Sequence, residues 1–504
     1  MNLIEALPKD EYNERRLANT HPANWQNPEP APRYNMVVIG GGSAGLVTAI
    51  VAAGLGGKVA LVEKSLMGGD CLNVGCVPSK GVIRSAKVMG DIMSAARYGI
   101  QTGEASVDFG QVMARVRRVQ ADLSPNDSVW RYQEAGVDIF LGEGCFVSGN
   151  ALEVGGARLN FKKALVATGS RPYIPAVEGL AEAGYLTNET VFNLMEQPAR
   201  LAIIGGGPIG CELAQSFQRL GSEVALFHNS GHLLNKEDAD AAEIVQQTFI
   251  REGVKLVLNS QVKKVTVDER GKTLHFECPA GPSTVTVDEI LVATGRVPNI
   301  ENLGLAAAGV ETDPRRGIIV NDYLQSSNPN IYGAGDVAMA HKFTHAASAA
   351  AKIVVQNALF AGFKKLSDLH MPWCTYTDPE IAHVGLYAHE AEAQGLEVDT
   401  YTVNFDDNDR AVADGEEDGF VKIHVKGGTD KILGATIVAR AAGDMINELT
   451  LAIVAGIGLK TLGEVIHCYP TQSEAIARAA GFYTRTRLTP TVKTLFSGWL
   501  SLTR

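Results

Sequence analysis

Two stretches, "YNMVVIGGGSAG" (residues 34–45) and "RLAIIGGGPIG" (residues 200–210), constrain this chain more than any other part of it. Each runs a short apolar strand into a glycine turn that opens a helix. Only glycine lets the backbone turn that tightly and approach a pyrophosphate, which then rests on the N–H groups of the helix N-terminus. Gly40, Gly42 and Gly45 fill the G-x-G-x-x-G positions in the first copy, and Gly205, Gly207 and Gly210 fill them in the second. A second strand follows each turn, "KVALVEK" and "SEVALFH", and this strand–turn–helix–strand context sets the pair apart from a chance match. Glu63 ends the first of these strands, where a carboxylate accepts hydrogen bonds from a ribose diol. His228 stands at the same place in the second copy. A histidine is no carboxylate, which argues against strict NAD use, although no arginine follows to clamp a 2′-phosphate. NADPH is therefore the expected nucleotide there and NADH the alternative.

At 504 residues the chain is too long for one core, and the tandem repeat predicts successive domains. Each half closes on a related strand and loop, "ALVATGSRP" and "ILVATGRVPN", where Thr168, Gly169 and Gly295 are expected to bind the cofactors. Between residues 259 and 287 the alternation reads as a β-meander turning at Glu269–Gly271. "NIYGAGDVA" predicts a further strand before an alanine-rich helix, and from Met371 the texture is that of an α+β module. The lead-in ending "NWQNPEPAP" reads as a linker or surface arm. A net charge of −11 argues against a nucleic-acid partner. Seven cysteines, with no secretory signal and no spanning apolar run, fit the cytoplasm.

"GGDCLNVGCVPSK" (residues 68–80) sets Cys71 and Cys76 five residues apart. In a regular helix five residues rise about 7.5 Å. That exceeds the roughly 7 Å reach of a disulfide, so the pair closes only on a distorted first turn. Such a bond would be easily reduced, which suits a redox role. Two buried thiols and half a metal site are the alternatives, and no second cysteine pair stands nearby to complete a zinc tetrahedron.

With these motifs the chain resembles the class I flavin-dependent pyridine nucleotide-disulfide oxidoreductases, the family of glutathione reductase, dihydrolipoamide dehydrogenase and mercuric reductase. The resemblance covers about Arg33 to Ala480. It implies an α/β fold with two tandem Rossmann-like domains, for FAD and NAD(P)H, and a C-terminal α+β dimerisation domain. The implied divisions are an N-terminal extension (1–33), FAD domain (34–188 and 307–366), NAD(P)H domain (189–306), dimerisation domain (367–484) and basic amphipathic tail (485–504). By the same resemblance Asp336 of "GAGD" bonds the ribityl or phosphate region, and the helix near His345 points at the flavin pyrimidine. Lys80 and Glu212 match the family's pair beside the flavin N5. Electrons would pass from NAD(P)H through FAD to a Cys71–Cys76 disulfide, Cys76 nearer the flavin and Cys71 attacking the substrate. A thiolate at a helix start near Lys80 should have a lowered pKa.

The C-terminal "EVIHCYPTQSEA" is where the thiol-reducing relatives read His-Pro-Thr-x-x-Glu, a proton-shuttling histidine given across the homodimer and oriented by the glutamate. Here Tyr469 takes the histidine's place, ahead of Glu474. With an ordinary pKa near 10 a tyrosine is a poor base at neutral pH. His467, two residues earlier on the same face of an extended segment, is the alternative base at a displaced position, and Cys468 is expected to be packed. Mercuric reductases resemble this chain in carrying tyrosine here, since a thiolate-bound soft metal ion needs no proton shuttle. Their C-terminal vicinal cysteines and N-terminal G-M-T-C-x-x-C domain have no counterpart in this sequence. The expected activity is thus NAD(P)H- and FAD-dependent electron transfer to a thiol-bound acceptor, foremost a metal ion such as Hg(II) held transiently by Cys71 and Cys76. No structural metal is expected. A dihydrolipoamide dehydrogenase-like disulfide reductase and a redox-sensing or membrane-docked electron-transfer partner are the alternatives. After Glu474 there are five Lys or Arg and no acid, and Leu495, Phe496, Trp499 and Leu500 share a helical face. That tail is expected to dock on its own protein or the dimer mate, with a membrane surface as the alternative.

Overall fold

The computed structural model describes residues 8–360 and 362–504. They form two compact units, one of residues up to 231 with 252–369, the other of 232–251 with 370–504. In the first unit the strands run Val137–Leu141, Val59–Glu63, Tyr34–Ile39, Ala157–Val166 and Ile331–Gly333, all parallel. Their apolar runs are buried from both faces, as a parallel sheet between helices requires. The helices Ser43–Gly54 and Thr344–Phe360 lie against each other, so both open near the carboxyl ends of the same strands. A second parallel sheet repeats the theme with Lys255–Val257, Glu223–Phe227, Arg200–Ile204 and Glu289–Val292. The meander follows as three antiparallel strands, Gln261–Asp268, Gly271–Cys278 and Gly281–Val287. The two "ATG" loops meet, because Ser170–Pro172 pairs with Arg296–Pro298.

The lead-in is not a free arm. Residues Glu11–Thr20 form a helix capped by Asp10, whose side chain accepts from the Asn13 N–H at 2.8 Å. Asn13, Arg16 and Thr20 turn inward, and Asp10 pairs with Arg117. Beyond the helix the Thr20 carbonyl accepts from the Met67 N–H at 3.1 Å, the His21 ring meets the Ser65 carbonyl at 2.5 Å, and Trp25 packs edge-on against Trp130. The buried face is polar, so apolar periodicity carried no signal of it.

In the second unit five antiparallel strands run Trp373–Thr375, Glu380–Gly385, Ile432–Ala439, Phe420–Lys426 and Val398–Asn404. The helices Ala442–Ala455 and Glu474–Thr486 bury their apolar faces in the same core. Glu237 ties the 232–251 segment to this module, accepting from Trp373 Nε1 at 2.7 Å and Tyr387 Oη at 2.5 Å. The tail forms a helix, Pro490–Leu502, begun by the Thr489 cap and with no buried residue. The expectation that it docks on its own subunit is therefore corrected. Among the described residues no helix is long and apolar enough to cross a membrane.

Candidate active site

The two glycine turns are built alike. Gly40 has φ +107°, and a Cβ there would sit 2.3 Å from the Ala167 carbonyl oxygen. Gly205 has φ +119°, with the Ala293 oxygen at the same 2.3 Å. A Cβ on Gly45 or Gly210 would fall 1.8 or 1.9 Å from the carbonyl oxygen at the head of its own turn. Beside the first turn the Gly41 N–H donates to Glu63 Oε2 at 2.5 Å, and the Ser65 N–H donates to Oε1. Burial pushes the Glu63 carboxyl pKa up. Beside the second, the Gly206 N–H donates to His228 Nδ1 at 3.1 Å. His228 is 9% exposed, so it belongs to the wall of the turn and not to the solvated surface. Since Nδ1 accepts, the ring proton sits on Nε2. Both turns fit a dinucleotide, because bare backbone at the start of each helix leaves room for a pyrophosphate.

Cys71 and Cys76 stand as free thiols on two different helices. The expected distorted first turn is instead a one-turn helix, Gly69–Asn73, broken at Val74–Gly75 before the long helix Cys76–Ser94 begins. Gly75 makes the break, since a Cβ on it would lie 2.8 Å from the Asp70 carbonyl oxygen. The Cys71 thiol donates to the Cys76 sulfur, and this bond does most to lower Cys76 to about 6, with Thr344 and Lys80 helping. The same bond pushes Cys71 up, so Cys76 is the thiolate of the reduced pair. Thr344 Oγ1, first residue of its helix, lies 3.5 Å from the Cys76 sulfur, and His345 follows it there. Lys80 Nζ meets Glu212 Oε2 at 2.9 Å, with Glu212 nearly buried. Cys76, Val77, Lys80, Arg115, Val119 and Leu123 line a cavity of about 340 Å³.

Sequence reasoning missed Arg296. Its guanidinium pairs with Asp70 of the cysteine loop, donates to Ser170 Oγ at 2.6 Å, and lies 3.6 Å from Asp336. It also donates to Asn188 at 3.3 Å, and Asn188 in turn donates to the Val74 carbonyl at 3.1 Å. Both ends of the short helix that carries Cys71 are thus held from one point. Ser170 donates to Asp336 at 2.6 Å, which brings the "GAGD" aspartate into the same network. Thr168 and Asn299 bond reciprocally, side chain to carbonyl, and Gly169 and Gly295 both take positive φ. The signal for Arg296 was its place after the second "ATG", which pairs strand to strand with the first.

The C-terminal residues do not gather around one another. Tyr469 is 72% exposed, and its hydroxyl donates to Asp409 at 2.9 Å, not to Glu474. That bond raises the tyrosine pKa. His467 turns its Nε2 to Glu448 at 3.0 Å. His467 and Tyr469, expected on one face, each bond a different carboxylate. Cys468, expected to be packed, is exposed. Glu474 starts the helix Glu474–Thr486 and accepts from the Thr471 N–H at 3.5 Å, holding the turn.

The family model described as pyridine nucleotide-disulphide oxidoreductase matches residues 34–351, and the dimerisation domain of that family matches residues 371–480. The mercuric reductase of Staphylococcus aureus is 35% identical over 447 residues, 89% of this chain and 82% of that protein. The dihydrolipoyl dehydrogenase of Geobacillus stearothermophilus is 34% identical over 450 residues, 88% of this chain and 95% of that one. Among solved structures, the Cu(II) complex of the HOCl-induced flavoprotein disulfide reductase RclA from Escherichia coli is similar with a TM-score of 0.80 and 26% identity, covering 90% of this chain and 100% of that chain. The chain belongs to the pyridine nucleotide-disulphide oxidoreductases, a family that uses FAD and NAD(P)H, and it carries their dimerisation domain.

Proposed function

We propose that this oxidoreductase reduces a thiophilic metal ion, Hg(II) or Cu(II), held between Cys71 and Cys76 and drawn from a thiol complex. The observation that carries the reading is Tyr469. Its hydroxyl is exposed and donates to Asp409, a bond that raises its pKa, so the slot of a proton-shuttling imidazole holds a group that keeps its proton at neutral pH. Dithiol–disulfide exchange needs that shuttle, whereas a metal ion held by thiolates does not. Mercuric reductases among the relatives, and the Cu(II) complex of RclA, support the same class of acceptor. The 340 Å³ cavity beside Cys76 is within the range of small-molecule sites, room enough for an ion that arrives with its thiol ligands.

In this reading residues 34–188 and 307–366 hold FAD, with Gly40, Gly42, Gly45, Glu63 and Asp336 around it. Residues 189–306 hold the nicotinamide nucleotide. FAD held there would supply the chemistry of accepting a hydride from NAD(P)H and passing an electron pair toward the dithiol. Cys76, already a thiolate, displaces one thiolate ligand from the ion, and Cys71 completes a two-sulfur clamp as its proton passes to the second thiolate it displaces. Lys80, paired with Glu212, adds positive charge beside the Cys76 sulfur. The place where a ribose-binding carboxylate would stand holds His228, which supports NADPH over NADH. The 367–484 module brings two copies into a homodimer, with exposed Leu451, Val454 and Ile466 as its apolar contact. A second reading, reduction of a disulfide, rests on the His467–Glu448 pair at 3.0 Å, a carboxylate-oriented imidazole.

Steady-state rates with Hg(II), Cu(II), oxidised glutathione and lipoamide decide between them, with Cys71→Ser as control. Metal-dependent NADPH oxidation that Cys71→Ser abolishes is the expected result. Brisk lipoamide or glutathione turnover, lost in His467→Ala, would establish the second reading instead.

A further inference from the structure

The tail is a surface that the redox chemistry leaves unused. Its helix, Pro490–Leu502, has no buried residue, and Leu495, Phe496, Trp499, Leu500 and Leu502 are between 56% and 85% exposed. At 100° per residue these side chains, with Val492, fall within an arc of about 160°, and Thr494, Ser497 and Ser501 lie opposite. The last acid of the chain is Glu474, while Arg485, Arg487, Lys493 and Arg504 are all exposed. A chain with a net charge of −11 thus carries a purely basic segment at 485–504 that also exposes Phe496 and Trp499.

We propose that the 485–504 segment docks on an anionic lipid surface, its helix lying in the plane of the interface. Basic flanks facing anionic headgroups and an apolar face entering the acyl boundary are complementary to such a surface. Each Lys or Arg near it adds electrostatic attraction, and the aromatic and leucine side chains that enter the interface add to that. A helix of 13 residues is too short to span, since crossing a bilayer takes about 20. A second copy is the poorer occupant. The dimerisation domain matches residues 371–480 and stops short of the helix. One such face covers a few hundred Å², well below the roughly 1,200–2,000 Å² of a stable protein interface. The inference is independent of which acceptor the enzyme reduces.

The test is co-sedimentation of the FAD-loaded full chain with vesicles of phosphatidylglycerol and phosphatidylcholine in equal parts, beside vesicles of phosphatidylcholine alone. Size-exclusion runs in the same buffers report the oligomeric state. The comparison variants are a Leu495→Ser, Phe496→Ser, Trp499→Ser triple, whose positions are all exposed and so spare the fold, and a truncation after Arg487. Expected are binding to the anionic vesicles about tenfold or more above the neutral ones, loss of most of it at 0.5 M salt, and at least a tenfold drop in both variants. Binding unchanged in the triple variant, or equal on both vesicles, overturns the proposal. So does absence of vesicle binding, and if the triple variant then also changes the oligomeric state, the face belongs to a second copy.

Discussion

The two glycine turns have nearly superposable stereochemistry and different surroundings. Around the first, the chain folds back. Gly69 takes φ +56° with a Cβ position only 2.6 Å from the Gly42 Cα, and Met67 and Glu63 close over Gly41. The lead-in then fastens that returning loop through Thr20 and His21. Around the second turn nothing lies within 4 Å of a Cβ placed on Gly207. The same motif is enclosed in one copy and open in the other. A cofactor that stays needs enclosure, and a nucleotide that must leave after each turnover needs an open mouth. The polar group at the end of the neighbouring strand follows the split, a carboxylate acceptor at Glu63 and an imidazole with its donor on Nε2 at His228.

The sharpest way to break the comparison is to block each turn in turn. Gly45→Ala should yield protein without bound flavin, read from its visible absorbance. Gly210→Ala should keep its flavin but be reduced by NADPH about 100-fold more slowly in stopped flow, the scale of an ångström-level misplacement. If both variants lost flavin equally, the assignment of one turn to each cofactor would fail.

Next in size is the dithiol that only the enclosed half carries. Cys76 lies at about 6, so it is a thiolate above that pH, and alkylation of the reduced enzyme should rise through pH 6 and level off near neutrality. Cys71→Ala removes the strongest stabilising donor, and the inflection should climb toward the ordinary thiol value of about 8.5. Arg296→Met should loosen the Cys71 helix and cost about 2 kcal/mol in urea unfolding, because it strips the charge partner from half-buried Asp70. Arg296→Lys should restore only part of it, since an ammonium cannot span Asp70, Ser170 and Asn188 at once.

A smaller effect is expected at the open turn. His228→Glu restores the carboxylate that would hold a ribose diol and should move the ratio of NADPH to NADH kcat/KM about 10-fold toward NADH, or about 1.4 kcal/mol. An unmoved ratio would mean that discrimination lies elsewhere in the second half. Smallest is His21→Ala at the clasp on the enclosed turn, expected to cost about 1 kcal/mol, the worth of one hydrogen bond. Faster flavin release on dilution, followed by fluorescence, would connect that loss to cofactor retention.

Much of this was legible in residues 34–45, 200–210 and 68–80, because glycine turns and a close cysteine pair are local devices whose chemistry lies in the spacing. The lead-in helix was not legible, since its inward face is Asn13, Arg16 and Thr20 and mimics a solvated segment. Nor was the break between Cys71 and Cys76, which only the close approach of Gly75 to Asp70 reveals. The C-terminal cluster misled for a related reason. His467, Tyr469 and Glu474 are neighbours in the chain, yet Glu448 and Asp409, 19 and 60 positions away from their partners, take the side chains that adjacency seemed to join.

The sequence by itself determined the family, the two nucleotide folds and the dithiol, because each is encoded over a short stretch where backbone freedom and residue chemistry suffice. Only the tertiary structure decided which turn is covered, that Arg296 holds the cysteine loop to the "GAGD" aspartate, and that the tail helix is bare. Those facts depend on contacts between residues 22 to 226 positions apart, or on the lack of burial, and local propensity carries neither.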